Sequence, residues 1–327
     1  MTAYIYTGLR KSSEMKIAVA QFQPKDRDKK HNLSTIDKLT ERAKKGGADL
    51  ITFHEMSITA YTHTKNLELN QIAEIAEQIP VGESSKQLIE ISGKYNIPVL
   101  AGLIEKDNRK LYNTYICAYK GNVVARYRKL HPFINKHMSA GNEYVVFDLL
   151  GWKCGILTCY DNNIIENVRA TVLLGAELIF APHVTCCTPS NYPGSGYVDN
   201  KYWMNRDKDP ESLRSEFDGP KGREWLMRWL PARAYDNGVY YAFTNPIGYD
   251  GDQLKNGNSM ILDPYGEVLA EIRSFEDDIA IANVTKDKLT LSGGYRYRNA
   301  RRPDLYRSIT GKDHNSHTKP IWLNQDE

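Results

Sequence analysis

Residues 144–161, "YVVFDLLGWKCGILTCYD", hold two β-rich runs separated by Leu150 and Gly151. Such runs on either side of a glycine fold back as an antiparallel hairpin, because glycine accepts the positive φ of a tight turn. The same device stands just upstream in "NTYICAYKGNVVARYRKLHP", residues 113–132, turning at Lys120-Gly121-Asn122. The downstream run ends on Cys159, with Tyr160 and Asp161 directly behind it. Free cysteine is among the most buried residue types, so a packed thiol is the first reading of Cys159. Its place at the end of a strand opens a second one, a nucleophile.

Strands and helices alternate on both sides of these hairpins. "MKIAVAQFQP" (15–24), "LITFHEM" (50–56) and "IPVLAGLIE" (97–105) read as strands, with amphipathic helices between them in "NLSTIDKLTERAKKGGADL" and "SSKQLIEISGKYN". Downstream come helix "ENVRATVLLGA", strand "ELIFAPH", helix "GREWLMRWLPARAYDNG", strand "VYYAFTNP" and hairpin "NSMILDPYGEVLAEI". The order predicts an α/β protein with a mixed sheet, or two sheets, covered by helices. A polar leader (1–14) precedes the main domain (15–295), and a polar, arginine-rich C-terminal arm (296–327) follows it. Residues 186–221 are rich in turn formers and charges and read as a long loop, either a lid or an interface segment, with Tyr192, Tyr197, Tyr202, Trp203 and Arg206 in it.

Composition narrows the function classes. The chain has 327 residues, 41% hydrophobic and 25% charged, with a formal net charge of +3, as in an ordinary globular protein with a sizeable core. Interspersed charges predict no nucleic-acid partner, although "GGYRYRNARRPDLY" (293–306) interleaves arginine with tyrosine. No apolar run is long enough for a membrane span and the first residues lack a secretory pattern, so the expectation is a cytoplasmic protein without membrane partners. Five cysteines, an odd number, point to reduced thiols. "HVTCC" (183–187) lacks the ligand spacing of a zinc site, so no metal is expected.

Three apolar runs end near a reactive side chain: "LITFHEM" at Glu55, "VVARYRK" at Lys129 and "WKCGILTC" at Cys159. Strand ends are where a sheet fixes a side chain and the following loop leaves it accessible. A thiol nucleophile needs a base and oxyanion donors. His131 is an alternative base by count alone, as in cysteine-histidine proteases. Taken singly, Glu55 reads first as a salt-bridged carboxylate and Lys129 as a solvated charge beside Arg126 and Arg128.

In this order the set resembles the nitrilase superfamily of carbon-nitrogen hydrolases, from Met15 to about Tyr306. "KIAVAQFQP" is similar to its first strand, "FHEMSITAY" to its glutamate motif, "YRKLHPF" to its lysine motif and "CYDNNIIENVRATVLLGAELIFAP" to its cysteine motif. "RAYDNGVYYAFTNPIG", "NSMILDPYGEVLAE" and "RRPDLY" follow in the family's order. The resemblance implies a four-layer αββα sandwich of two mixed sheets and a triad of Glu55 as base, Lys129 as oxyanion stabiliser and Cys159 as nucleophile, with the backbone N–H of Tyr160 as second oxyanion donor. It implies no organic cofactor, a small-molecule amide, carbamoyl or nitrile substrate, and a homodimer or larger homo-oligomer. Asp161, Asn135 and His183 are further candidates for substrate or oxyanion contacts. Tyr160-Asp161 favours the amidase and carbamoyl-hydrolase branches over true nitrilases.

Two positions depart from the pattern. His54 replaces the usual proline before the glutamate, with a side chain that either tunes Glu55, touches substrate or points to the other face. Many members carry a second glutamate between the lysine and Gly141, whereas "LHPFINKHMSA" has no acidic residue; Asn135 is the nearest polar substitute and Glu143 lies beyond the loop. An amide positions water by hydrogen bonds but is no base at neutral pH. Three activities therefore stand: an amidase or carbamoyl-amine hydrolase, a nitrile hydrolase, or a family-fold scaffold with slow turnover. An acyltransferase is a weaker fourth.

Overall fold

The alternating burial of "KIAVA" starts the core. Ile17 and Val19 face one apolar layer while Ala18 and Ala20 face another, the period of two that a strand imposes. The computed structural model describes residues 13–188 and 196–312; most of the polar leader, Tyr192 and residues 313–327 lie outside them. One six-stranded sheet contains β1 (Glu14–Gln21), β2 (Leu50–Thr52), β3 (Val99–Asp107), β4 (Lys110–Tyr119) and β5 (Asn122–Arg128). The second contains β6 (Val145–Leu149), β7 (Trp152–Ile156), β8 (Leu178–Pro182) and β9 (Tyr240–Thr244). A separate hairpin, β10 (Ile247–Asp250) and β11 (Gln253–Asn256), precedes β12 (Met260–Leu262) and β13 (Val268–Glu271), which extend the second sheet. Finally β14 (Asp278–Thr285) returns to the first sheet, antiparallel to β1.

Both sheets mix parallel and antiparallel neighbours, as expected: β1–β2–β3 and β7–β8–β9 run parallel, and β3–β4–β5 and β6–β7 antiparallel. The two quoted hairpins form. Their turn residues, Lys120 (φ 49°) with Gly121 (77°) and Leu150 (52°) with Gly151 (84°), all have positive φ, the turn that matches strand twist.

Helices α1 (Lys29–Lys45) and α3 (Glu83–Tyr95) cover the outer face of the first sheet through Leu33, Ile36, Leu39, Leu88 and Ile91, with the short α2 (Leu69–Ile75) between them in sequence. Asp28 caps α1 by accepting from the His31 N–H, and Arg42, Lys44 and Lys45 complement the dipole at its other end. On the second sheet lie α4 (Ile165–Leu173) and, later in the chain, α7 (Arg223–Asn237). The layers are therefore helix, sheet, sheet, helix.

The segment at 186–221 is not a bare loop. It contains α5 (Asn200–Met204) and α6 (Pro210–Asp218), whose Trp203, Leu213 and Phe217 are buried. Apolar anchors spaced among charges were read as loop, and three of them hold these short helices to the body. Trp203 meets Tyr249 of β10 edge-on, with ring centroids 6.3 Å apart. After β14 come α8 (Asp287–Leu291), α9 (Gly293–Asn299) and α10 (Pro303–Thr310). A Cβ on Gly294 would stand 2.1 Å from the Gly238 N, so glycine is what lets α9 lie against the end of α7. No residue of α10 is buried.

Candidate active site

Two sheets supply the site. Glu55 lies three residues beyond β2, Lys129 directly follows β5, and Cys159 opens a 3-10 turn (Cys159–Asn162) after β7. The first sheet thus carries the carboxylate and the amine, and the second carries the thiol. Glu55 is 0% exposed, Lys129 1% and Cys159 6%.

Glu55 Oε1 accepts from Lys129 Nζ at 2.6 Å and from Asn113 Nδ2 at 2.6 Å. Its Oε2 accepts no hydrogen bond among the described residues, and the Cys159 thiol faces this carboxylate. Burial pushes the Cys159 thiol up to about 12, with the Glu55 charge adding to the rise, while Lys129 and the Val184 backbone N–H oppose it. The resting sulfur is therefore a thiol, and attack requires its proton to pass to a neighbour. Burial alone would lower Lys129, but Cys159 once ionised and the Glu55 carboxylate outweigh it and hold the ammonium well above the ordinary lysine range. The Tyr61 and Phe133 rings flank that ammonium at 5.4 and 4.9 Å.

Cys159 has φ 50°, an unusual conformation for a residue with a Cβ. The turn is held from below. Asn162 Nδ2 donates to Leu157 O at 2.6 Å and Cys159 O at 3.2 Å, while Tyr241 donates to Asn162 Oδ1 at 3.0 Å. Arg233 donates to the carbonyls of Asn162 and Asn163, both at 2.9 Å.

The remaining sequence candidates are placed differently from expectation. The Asp161 carboxylate is buried and accepts from Tyr127 Oη (2.7 Å) and the backbone N–H groups of Leu130 (3.1 Å) and His131 (2.9 Å), with the His131 ring at 2.8 Å. It fixes the loop after Lys129 and has no capacity left for substrate. Asn135 is likewise committed, donating to Thr64 O and Leu67 O at 2.8 Å each and accepting from His137 N. His131 pairs with Asp161, not with the cysteine. His183 is fully buried, with Nε2 3.2 Å from Asn162 Nδ2, and supports the turn beneath Cys159. Tyr160 sets its ring edge-on to Phe133 at 5.7 Å, at the rim of the site.

His54 turns away from the carboxylate. Its Nδ1 is 3.1 Å from the Glu55 carbonyl, its ring packs on Phe22 at 4.6 Å, and burial lowers it to about 4. Among the described residues Glu55 is the only carboxylate paired with Lys129. Glu143 is exposed, and the loop after Lys129 brings Phe133 to the lysine.

Sequence reasoning missed three participants. Asn113 was legible as a polar residue interrupting the buried run of β4. The Val184 N–H and Tyr61 carried no such signal, because distant segments bring them to Cys159 and Lys129. Among the described residues no group of three or more His, Cys, Asp and Glu side chains is placed to hold a metal ion.

A buried thiol, carboxylate and ammonium thus come together on an αββα sandwich. The chain matches the carbon-nitrogen hydrolase family over residues 16–291 and belongs to that family. It is 26% identical over 273 residues to a nitrilase of Pyrococcus abyssi, covering 83% of this chain and 89% of the relative. It is 29% identical over 295 residues to an omega-amidase of Xenopus tropicalis, covering 85% and 92%. Its fold is that of an amidase from Nesterenkonia sp. AN1 whose active-site cysteine carries the acetamide moiety of fluoroacetamide, with a TM-score of 0.67 at 23% identity, covering 93% and 100%.

Proposed function

We propose that this hydrolase is an amidase, or an amidohydrolase of N-carbamoyl amines or amino acids, that uses Cys159 as nucleophile and releases ammonia. The observation that carries this reading is the Cys159 thiol facing a buried carboxylate whose other oxygen is pinned by Lys129. Glu55 takes the thiol proton as Sγ bonds to the carbonyl carbon. Lys129 and the Tyr160 N–H stabilise the resulting oxyanion. The tetrahedral species collapses with loss of ammonia, which takes the proton from Glu55 and leaves a thioester. Water, deprotonated by the same glutamate, hydrolyses the thioester and regenerates the thiol.

The names of several relatives support this branch: the omega-amidase above and an (R)-stereoselective amidase of Pseudomonas sp., 27% identical over 261 residues. Tyr160-Asp161 argues the same way. Nitrile hydrolysis is the second reading, favoured by the Pyrococcus relative's name. A slow scaffold is the third, favoured by the lack of an acidic residue between Lys129 and Gly141. In this reading α5 and α6 cover the substrate, and five free thiols suit a reducing, cytoplasmic setting. The chain works as a homo-oligomer through the face where α4, α9 and α10 expose Ile165, Leu173, Tyr297, Leu305 and Ile309.

The test is ammonia release from a panel of amides, N-carbamoyl amines, N-carbamoyl amino acids and nitriles, beside Cys159→Ala, with intact-mass detection of the acyl-enzyme. Release and adduct that both vanish in the variant support the proposal, and the preferred substrate selects the branch. No turnover and no adduct on any class would leave the scaffold.

A further inference from the structure

A buried hydroxyl stands beside the three reactive side chains with nothing to bond. Tyr61 is buried, and among the described residues its Oη has no hydrogen-bond partner. A lone buried phenol is costly and marks a place where a polar atom of a ligand or an ordered water belongs. The ring lies 5.4 Å from Lys129 Nζ, and Lys129, Glu55 and Cys159 are all near enough for their charges to act on the hydroxyl. Burial raises the phenol well above the ordinary tyrosine range; Lys129 opposes the rise, while Glu55, Cys159 once ionised and Asp250 add to it. Tyr61 therefore keeps its proton at neutral pH and serves only as a hydrogen-bonding group.

The hydroxyl is held in place by its own backbone. The Tyr61 N–H donates to Asp250 Oδ1 at 3.0 Å, and its carbonyl accepts from the Thr64 N–H at 3.0 Å and from Thr64 Oγ1 at 2.7 Å. Asp250 also accepts from the Thr62 N–H at 2.8 Å, which ties the segment to the β10–β11 hairpin. Ala60, immediately before Tyr61, has φ 61°, and Met56, immediately after Glu55, has φ 47°. Both are unusual for residues with a Cβ. One tightly wound stretch of chain thus presents both the carboxylate and the phenol to the site.

Hydrolysis of a thioester by a single water in a buried site needs two acceptors, one for each O–H. Glu55 offers one, since its Oε1 is taken by Lys129 and Asn113 and its Oε2 accepts nothing among the described residues. We propose that Tyr61 Oη is the second acceptor and holds the water that hydrolyses the thioester, so that its lone pair faces the acyl carbon. The water gives one proton to Glu55 Oε2 as its oxygen bonds to that carbon. The tetrahedral species then breaks the C–S bond, the sulfur regains its proton from Glu55, and the acid leaves; the Tyr61 proton never moves. This rests on Cys159 forming the acyl-enzyme.

The experiment loads the enzyme with p-nitrophenyl acetate, which acylates a reactive thiol whether or not amides are substrates, with Cys159→Ala as the blank. The nitrophenol burst reads acylation, intact mass follows the acetyl-enzyme, and added hydroxylamine, a nucleophile that needs no base, competes with water for it. Tyr61→Phe keeps the ring beside Lys129 and removes only the hydroxyl. It is expected to leave the burst rate unchanged. It should lengthen the life of the acetyl-enzyme about tenfold and lower the acetate-to-acetohydroxamate ratio by the same factor, as for loss of one hydrogen bond. A ratio that stays at the wild-type value overturns the proposal, because a side chain that only walls the site slows water and hydroxylamine alike. A slower burst with the ratio intact overturns it as well and moves the hydroxyl to the acylation step. Both of those results leave the thioester reading standing. Wild type that forms no acetyl-enzyme at Cys159 removes the nucleophile itself, and the water step falls with it.

Discussion

Glu55 and Lys129 are worth more as a pair than their separate charges suggest. Removing one partner of a buried pair strands the other, at a cost of about 3–5 kcal/mol. Lys129→Met is therefore expected to lower unfolding free energy in urea by that order, and Glu55→Gln added to it to restore part of the loss. A double variant no more stable than the single one would show that the aromatic walls, not the ion pair, hold this spot. Asn113 tests positioning. Asn113→Leu removes one of two donors on Glu55 Oε1, and should reduce kcat about tenfold with little change in KM. At this scale the meeting of Glu55, Lys129 and Cys159 was legible because each stands at or near the end of an apolar run. Asp161 and Asn135 are harder to place from sequence: residue type shows hydrogen-bonding capacity, but only the folded backbone shows that Leu130, His131, Thr64 and Leu67 use it.

Among elements, turns and close contacts behave differently under the same substitution. Gly121 sits at φ 77° with open space where a Cβ would go. Gly121→Ala is thus expected to cost about 1–2 kcal/mol of stability by thermal or urea unfolding, from backbone strain alone, with kcat unchanged. Gly155 on β7 is confined, its Cβ falling 2.5 Å from Thr171 Cγ2 on α4. Gly155→Ala pushes the strand off its helix four residues before the nucleophile, so kcat should fall more steeply than stability does. Equal loss in the two variants would argue that β7 does not aim Cys159. The long hairpins and amphipathic helices were readable from periodicity. The β10–β11 hairpin was not, because its face pattern is set by Asp250 and Lys255, two buried charges that look like surface residues in a sequence. Helices α5 and α6 were hidden in the same way, with three apolar anchors spread through a polar stretch.

The whole molecule stores an acid sensitivity in its core. Burial holds His54 at about 4, against an ordinary 6.5, and lowers His183 well below its usual range. Unfolded, these imidazoles protonate near 6.5; folded, they resist. Between pH 6.5 and about 4 the unfolded chain binds more protons, so stability falls as pH drops through that window and is flat above it. For His54 alone the loss is about 3 kcal/mol, and His54→Phe should flatten the slope of urea midpoint against pH by that amount. An unchanged slope would place the sensitivity elsewhere. The αββα architecture itself followed from motif order; which sheet supplies which catalytic group did not, since that depends on how two sheets stack. The stacking has a practical meaning. Because the Glu55 carboxylate and Lys129 amine ride on one sheet and the Cys159 thiol on the other, turnover works as a gauge of how the two halves are registered. Heating or solvent that lets the sheets slide by even an ångström should silence the enzyme abruptly, while each half still keeps its strands and helices.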